Sequence, residues 1–149
     1  NSITATETAL FDEVKVVSMA HSIQDLFMDG FIKIYSGSQP TNADDAPTGT
    51  LLCTIYSDGS AAGLEFDDSA SGTISKKSTE TWTGTAVVTG TAGWFRLQAV
   101  GDGGSSSSED ERIDGAIATS GAQLNMSSTS ITSGAVQAIS TFQITLPAS

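Results

Sequence analysis

Histidine, cysteine, proline and cationic side chains are all scarce in this 149-residue chain, which has one His, one Cys, three Pro and six Lys or Arg. A single cysteine, Cys53, excludes an intrachain disulfide framework and removes any argument for an oxidising compartment. It lies in an apolar stretch at 51–56 with no His, Lys or Arg beside it, so a small buried hydrophobe is expected there rather than a reactive thiol. The lone histidine, His21, has no Ser-Gly nucleophile elbow nearby, which leaves a Ser-His-Asp triad or a multi-histidine metal site nothing to build on. No apolar run approaches the roughly 18 residues of a membrane span, and no basic-then-apolar leader opens the chain, so neither a span nor a signal peptide is expected. Seventeen Asp or Glu against the six cations give a net charge of −11, which repels phosphate backbones and anionic membranes and excludes nucleic acid and membrane as expected partners.

What is present is alternation. Along 91–100, Phe95, Leu97 and Ala99 share one face and Trp94, Arg96, Gln98 and Val100 the other, the period of a half-buried strand and the natural centre of a sheet. Similar stretches occur at 31–35, 50–56, 82–88, 111–118 and 136–146, with weaker ones at 62–66, 72–75 and 122–126. The stretch at 82–88 sets Trp82, Gly84, Ala86 and Val88 on one side, and the last sets Val136, Ala138, Ser140, Phe142, Ile144 and Leu146 on one face before Pro147 stops it. Residues 8–28 lack Gly and Pro and place Leu10, Val14, Val17, His21 and Met28 on an approximate helical stripe ended by Gly30. The chain length suits one domain over 1–149, burying roughly two thirds of its unfolded surface. The expected fold is mainly β: an antiparallel β-sandwich or jelly-roll of about eight strands over 31–147, preceded by one N-terminal α-helix over about 8–28. Its expected core is Ile32, Ile34, Leu51, Cys53, Ile55, Phe95, Leu97, Ile113, Ile117, Phe142, Ile144 and Leu146.

Two loops stand out. Residues 36–49 are long for a compact domain and hold Pro40 and Pro47, which makes Gln39, Pro40, Asp44, Asp45 and Pro47 the candidate contact residues. Residues 101–110 are Gly- and Ser-rich with no apolar side chain to bury, and read as a solvated hairpin tip that tolerates deletion. Its Gly101-Asp102-Gly103-Gly104 is no phosphate loop, since the following Lys-Ser/Thr and helix are missing. The acidic pairs Asp44-Asp45 and Asp67-Asp68, with Asp58 and Glu65, follow no EF-hand or nonapeptide calcium spacing and read as solvated charge, so no metal and no cofactor is expected. A glycosidase carboxylate pair is uninformative in so acidic a chain. Trp82 and Trp94 suit core packing better than a carbohydrate-stacking platform.

Three segments in order carry a family likeness: IYSGSQPTNADD at 34–45 with PTGTLL at 47–52, GTAGWFRL at 90–97, and Asp114-Gly115 with TSGAQLNMSSTSI at 119–131. Together they resemble a family of small proteins encoded in tailed-phage and prophage structural gene clusters, over roughly residues 8–147. The chain departs from that pattern in its Ser-rich 105–108 insertion and in a first helix less rich in Ala and Leu. The resemblance implies a non-enzymatic virion component, most simply a capsid decoration protein bound to the major capsid protein and to copies of itself. A tail-associated role as tube, terminator or fibre-anchoring protein is the alternative, and a carbohydrate-binding module at the host interface a third.

Overall fold

The computed structural model describes residues 24–68 and 73–145, and within them the chain is mainly β with one small helical segment at 24–27. Eleven short strands are formed: β1 (Phe31–Ser36), β2 (Leu51–Ile55), β3 (Phe66–Asp68), β4 (Thr73–Lys76), β5 (Trp82–Thr85), β6 (Gly90–Gln98), β7 (Arg112–Ala118), β8 (Leu124–Asn125), β9 (Ser130–Ile131), β10 (Val136–Ile139) and β11 (Gln143–Thr145). The nine-residue β6 is the longest, as its unbroken alternation predicts, and it lies inside the largest sheet, ordered β2-β1-β6-β7-β8, with β9 also pairing β6. A two-stranded sheet, β10-β5, and a three-stranded one, β11-β4-β3, are the other sheets among the described residues.

Register explains the core. Ile34 lies opposite both Cys53 and Phe95, and Ile32 opposite both Ile55 and Leu97, so alternate residues of three strands pile onto one face. Phe95 in turn faces Gly115, whose missing side chain is required: a Cβ there would sit 2.6 Å from the Phe95 ring. Four aromatic rings join the three sheets. Phe66 leads β3, Trp82 leads β5, Phe95 belongs to β6 and Phe142 immediately precedes β11, with centroid separations of 5.3 to 6.4 Å. The two-stranded sheet is drawn against β2 through mutual backbone bonds of Tyr56 and Thr83, and Gly84 allows the approach, since a Cβ would meet the Thr54 carbonyl at 1.9 Å.

Several expectations are corrected. Among the described residues the strands are eleven rather than about eight, and β7 and β8 run parallel, so the sheets are mixed rather than wholly antiparallel. The expected strand at 136–146 divides into β10 and β11, which belong to different sheets. Across that break the buried face changes: Ile139 and Phe142 are buried, whereas Val136, Ala138 and Ser140 are exposed. Val88 also lies outside, because β5 ends at Thr85. Leu51 is only half-buried while Leu52 is buried, the result of a register shift between Ile34 and Tyr35 that turns two consecutive residues of β2 inward. Of the remaining expected core, Ile32, Ile34, Cys53, Ile55, Phe95, Leu97, Ile117 and Phe142 are buried, and Ile113 and Ile144 pack partly buried against them. Leu146, His21 and most of the expected helix over 8–28 lie outside the described residues.

Candidate functional site

The second face of β6 is where the structure departs furthest from a half-buried strand, because every residue from Trp94 to Ala99 is buried. Pairing sets Lys33, Arg96 and Asp114 in one row across β1, β6 and β7, with Phe31, Gln98 and Arg112 in the next row and Tyr35, Trp94 and Ala116 in the one on the other side. Loops 36–49 and 101–110 fold over this polar face and seal it.

Two arginines do the sealing. Arg96, wholly buried, forms a two-pronged ion pair with Asp114, Nε to Oδ1 at 2.7 Å and Nη2 to Oδ2 at 2.8 Å. Its remaining Nη1 donates to the Asp45 carbonyl at 3.0 Å, and its guanidinium lies 5.3 Å from the Trp94 ring, itself stacked on Tyr35 at 4.5 Å. Arg112 pairs with Asp102 in the same fashion, at 2.6 and 2.7 Å, and donates further to the carbonyls of Ala43 and Ser105. Each arginine therefore ties a carbonyl of loop 36–49 to the sheet, and Arg112 ties loop 101–110 as well. The Ser107 amide donates to the Asp44 carbonyl at 2.9 Å, which joins the two loops directly. Trp94 Nε1 donates to the Thr48 carbonyl at 3.3 Å, closing the far side of the first loop.

Electrostatics follow from this burial. Burial pushes the Asp102 carboxyl upward, but Arg112, the adjacent Gln98 and the Gly104 amide outweigh it and hold the group at about 2. Asp102 in return raises Arg112. Burial raises Tyr35, and raises the Cys53 thiol to about 11, in keeping with an inert core cysteine. Gln98 is 2 % exposed and neither atom of its carboxamide has a full hydrogen bond, although it lies close enough to Asp102 to help stabilise its charge.

Of the expected contact residues, Gln39, Asp44 and Asp45 are exposed at the outside of the sealed loop, Pro47 is half-buried, and Pro40 is buried. Loop 101–110 is not the free tip its composition suggests. Asp102 lies within it with its side chain wholly buried against Arg112, and the Gly104 amide donates to Asp102. A shallow cleft of about 480 Å³ between the loops is lined by Asp44, Ser106, Ser107, Ser108 and Glu109, all hydroxyl and carboxylate groups. The carboxylates best placed for chemistry, Asp102 and Asp114, are both consumed in ion pairs. Among the described residues no group of three His, Cys, Asp or Glu is placed to hold a metal ion. Asp58 accepts the amides of Ser60, Ala61 and Ala62, led by Ala61, and is held well below the carboxylate range as the cap of its own turn. Trp82 and Trp94 are fully buried and offer no open ring face.

The two arginine pairs are what sequence reading misses. The available signal was Arg96 set between Trp94 and Gln98 in an otherwise apolar strand, with Arg112 and Asp114 flanking Ile113 on the same side of the next strand. No family model, curated protein or solved structure matches this chain.

Proposed function

We propose that this chain is a non-enzymatic virion protein, a capsid decoration protein that bridges neighbouring shell subunits through the sealed loop 36–49. In this reading the fold is a β-sandwich of jelly-roll type whose loop end faces the shell. The resemblance of 34–52, 90–97 and 114–131 to phage structural proteins suggests the setting. The observation that carries the contact assignment is that Arg96, Arg112 and Trp94 hold loop 36–49 by its carbonyls, leaving Gln39, Asp44 and Asp45 outward on a rigid support. A surface fixed before binding loses little conformational entropy on docking, which suits a protein that stabilises by mass action. Partners are the major capsid protein and further copies of this chain, since symmetric repetition lets one small patch act many times. The test is to count this chain in purified particles by gel densitometry and compare heat release of genome with and without it. Hundreds of copies and earlier release on removal support the reading; a handful confined to tails, with shell melting unchanged, replaces it with the tail role.

A further inference from the structure

We propose that the uncharged ribbon formed by β5 and β10 is the surface through which copies of this chain associate with one another. The sequence has no Asp, Glu, Lys or Arg in 46–57, 81–95 or 116–149, and the fold gathers these three segments together. Val136 pairs with Thr85 and Ile139 with Trp82, while β9 pairs with the start of β6. The Val87 amide donates to the Leu52 carbonyl, the Ala86 amide to that of Ala135, and the Ser133 amide to Thr89 Oγ1. On this ribbon Val87 is 64 % exposed, Val88 38 % and Val136 66 %, three of the five large apolar side chains left open among the described residues. Among those residues β10 pairs only with β5, and its sequence, Val-Gln-Ala-Ile, carries none of the lysine, proline or charge with which a sheet edge is usually blunted.

The charge distribution selects the occupant. Two molecules of net charge −11 repel wherever their acidic surfaces meet, and a cationic partner would be drawn to those same surfaces. Arg112, which binds Asp102, pairs with Gln98 at the far end of β6, eight residues and about 27 Å along the strand from Gly90, and Asp114 pairs with Arg96 two residues nearer. The ribbon's own residues carry no charge, and its ionic neighbours, Glu80 and Lys76 against Trp82 and the Asp58 turn beside Thr83, lie at the Trp82 end, so a second copy meets less Coulombic opposition at the end that carries Val136 and Val87. An open edge strand is also self-complementary about a two-fold axis, so β10 can pair antiparallel with its own copy while Val136 and Val87 are covered.

This rests on the self-association in the proposed function and not on the virion setting. The experiment is sedimentation equilibrium of the full chain beside Val136→Asp, Val87→Asp and the control Val100→Asp, which alters an equally exposed valine, 64 % open, in the turn after β6. The wild type and the control are expected to associate, and the two ribbon variants to associate about tenfold or more weakly with unchanged circular dichroism. Val87 lies outside the strands, so it carries the readout if Val136→Asp disturbs folding. A monomeric wild type overturns both the ribbon and self-association. Association that neither ribbon variant weakens overturns the ribbon alone, and dissociation by Val100→Asp only moves the contact to the loop end.

Discussion

Removing the Asp114 carboxylate leaves the Arg96 guanidinium wholly buried with only a carbonyl and a ring face to offset its charge. Asp114→Ala is therefore expected to destabilise by about 3–5 kcal/mol in urea melts, whereas replacing both partners by apolar residues of similar volume should be far milder. A loss under about 1 kcal/mol for the single change would show that water reaches Arg96. Asp102 gives the pH dependence. Its carboxyl is held at about 2 in the folded chain, below its unfolded value of roughly 3.9, so the stabilisation is fully present above the unfolded value and lost as pH falls through the folded one. Melting temperature should be insensitive to this group near neutrality and fall between about pH 4 and 2, and the Asp102→Asn variant should lack that part of the decline.

At the scale of elements, the bulge between β1 and β2 decides which leucine the core uses. Leu52→Ala is expected to lose about 2–5 kcal/mol and Leu51→Ala clearly less, because Leu51 retains contact with solvent. Equal losses in denaturant melts would mean that the register shift is absent. Loop 101–110 behaves as a strap whose anchor is ionic. Deleting 103–108 removes the Gly104 amide and Ser105 carbonyl that complete the Asp102 and Arg112 bonds, and the Ser107 amide that holds Asp44. A destabilisation of about 1–3 kcal/mol is expected, with faster amide exchange appearing in 42–46 of the neighbouring loop. Unchanged exchange there would separate the two loops.

At the scale of the whole molecule, the described residues set the sealed arginine pairs toward the Gln98 end of β6 and the ribbon with open valines toward its Gly90 end. The proposed shell contact and the proposed self-association would therefore use unlike surfaces, one of carboxylates and hydroxyls and one uncharged. Salt separates them. Raising ionic strength screens the repulsion between copies of net charge −11 and should strengthen association through the ribbon, as read by sedimentation. An association that weakens with salt would instead be held by opposite charges.

The alternation along 91–100 was enough to identify β6 as the centre of a mainly β chain and to bury Phe95 and Leu97, and the patterns at 31–35 and 50–56 did the same for Ile32, Ile34 and Cys53, because side-chain direction within one strand is a local property. What lies between segments was not legible. Period-2 spacing continues from Val136 to Leu146, yet the chain breaks at 140–142 and enters a second sheet, since alternation records direction and not a strand's neighbours. The composition of 101–110 reads as solvent, yet Asp102 is buried, because only tertiary folding brings Arg112 beneath the loop to neutralise it. The same holds for Arg96 and Asp114, eighteen residues apart and adjacent only through the β6–β7 register: burial of charge depends on a partner, and the register that supplies it belongs to the assembled sheet.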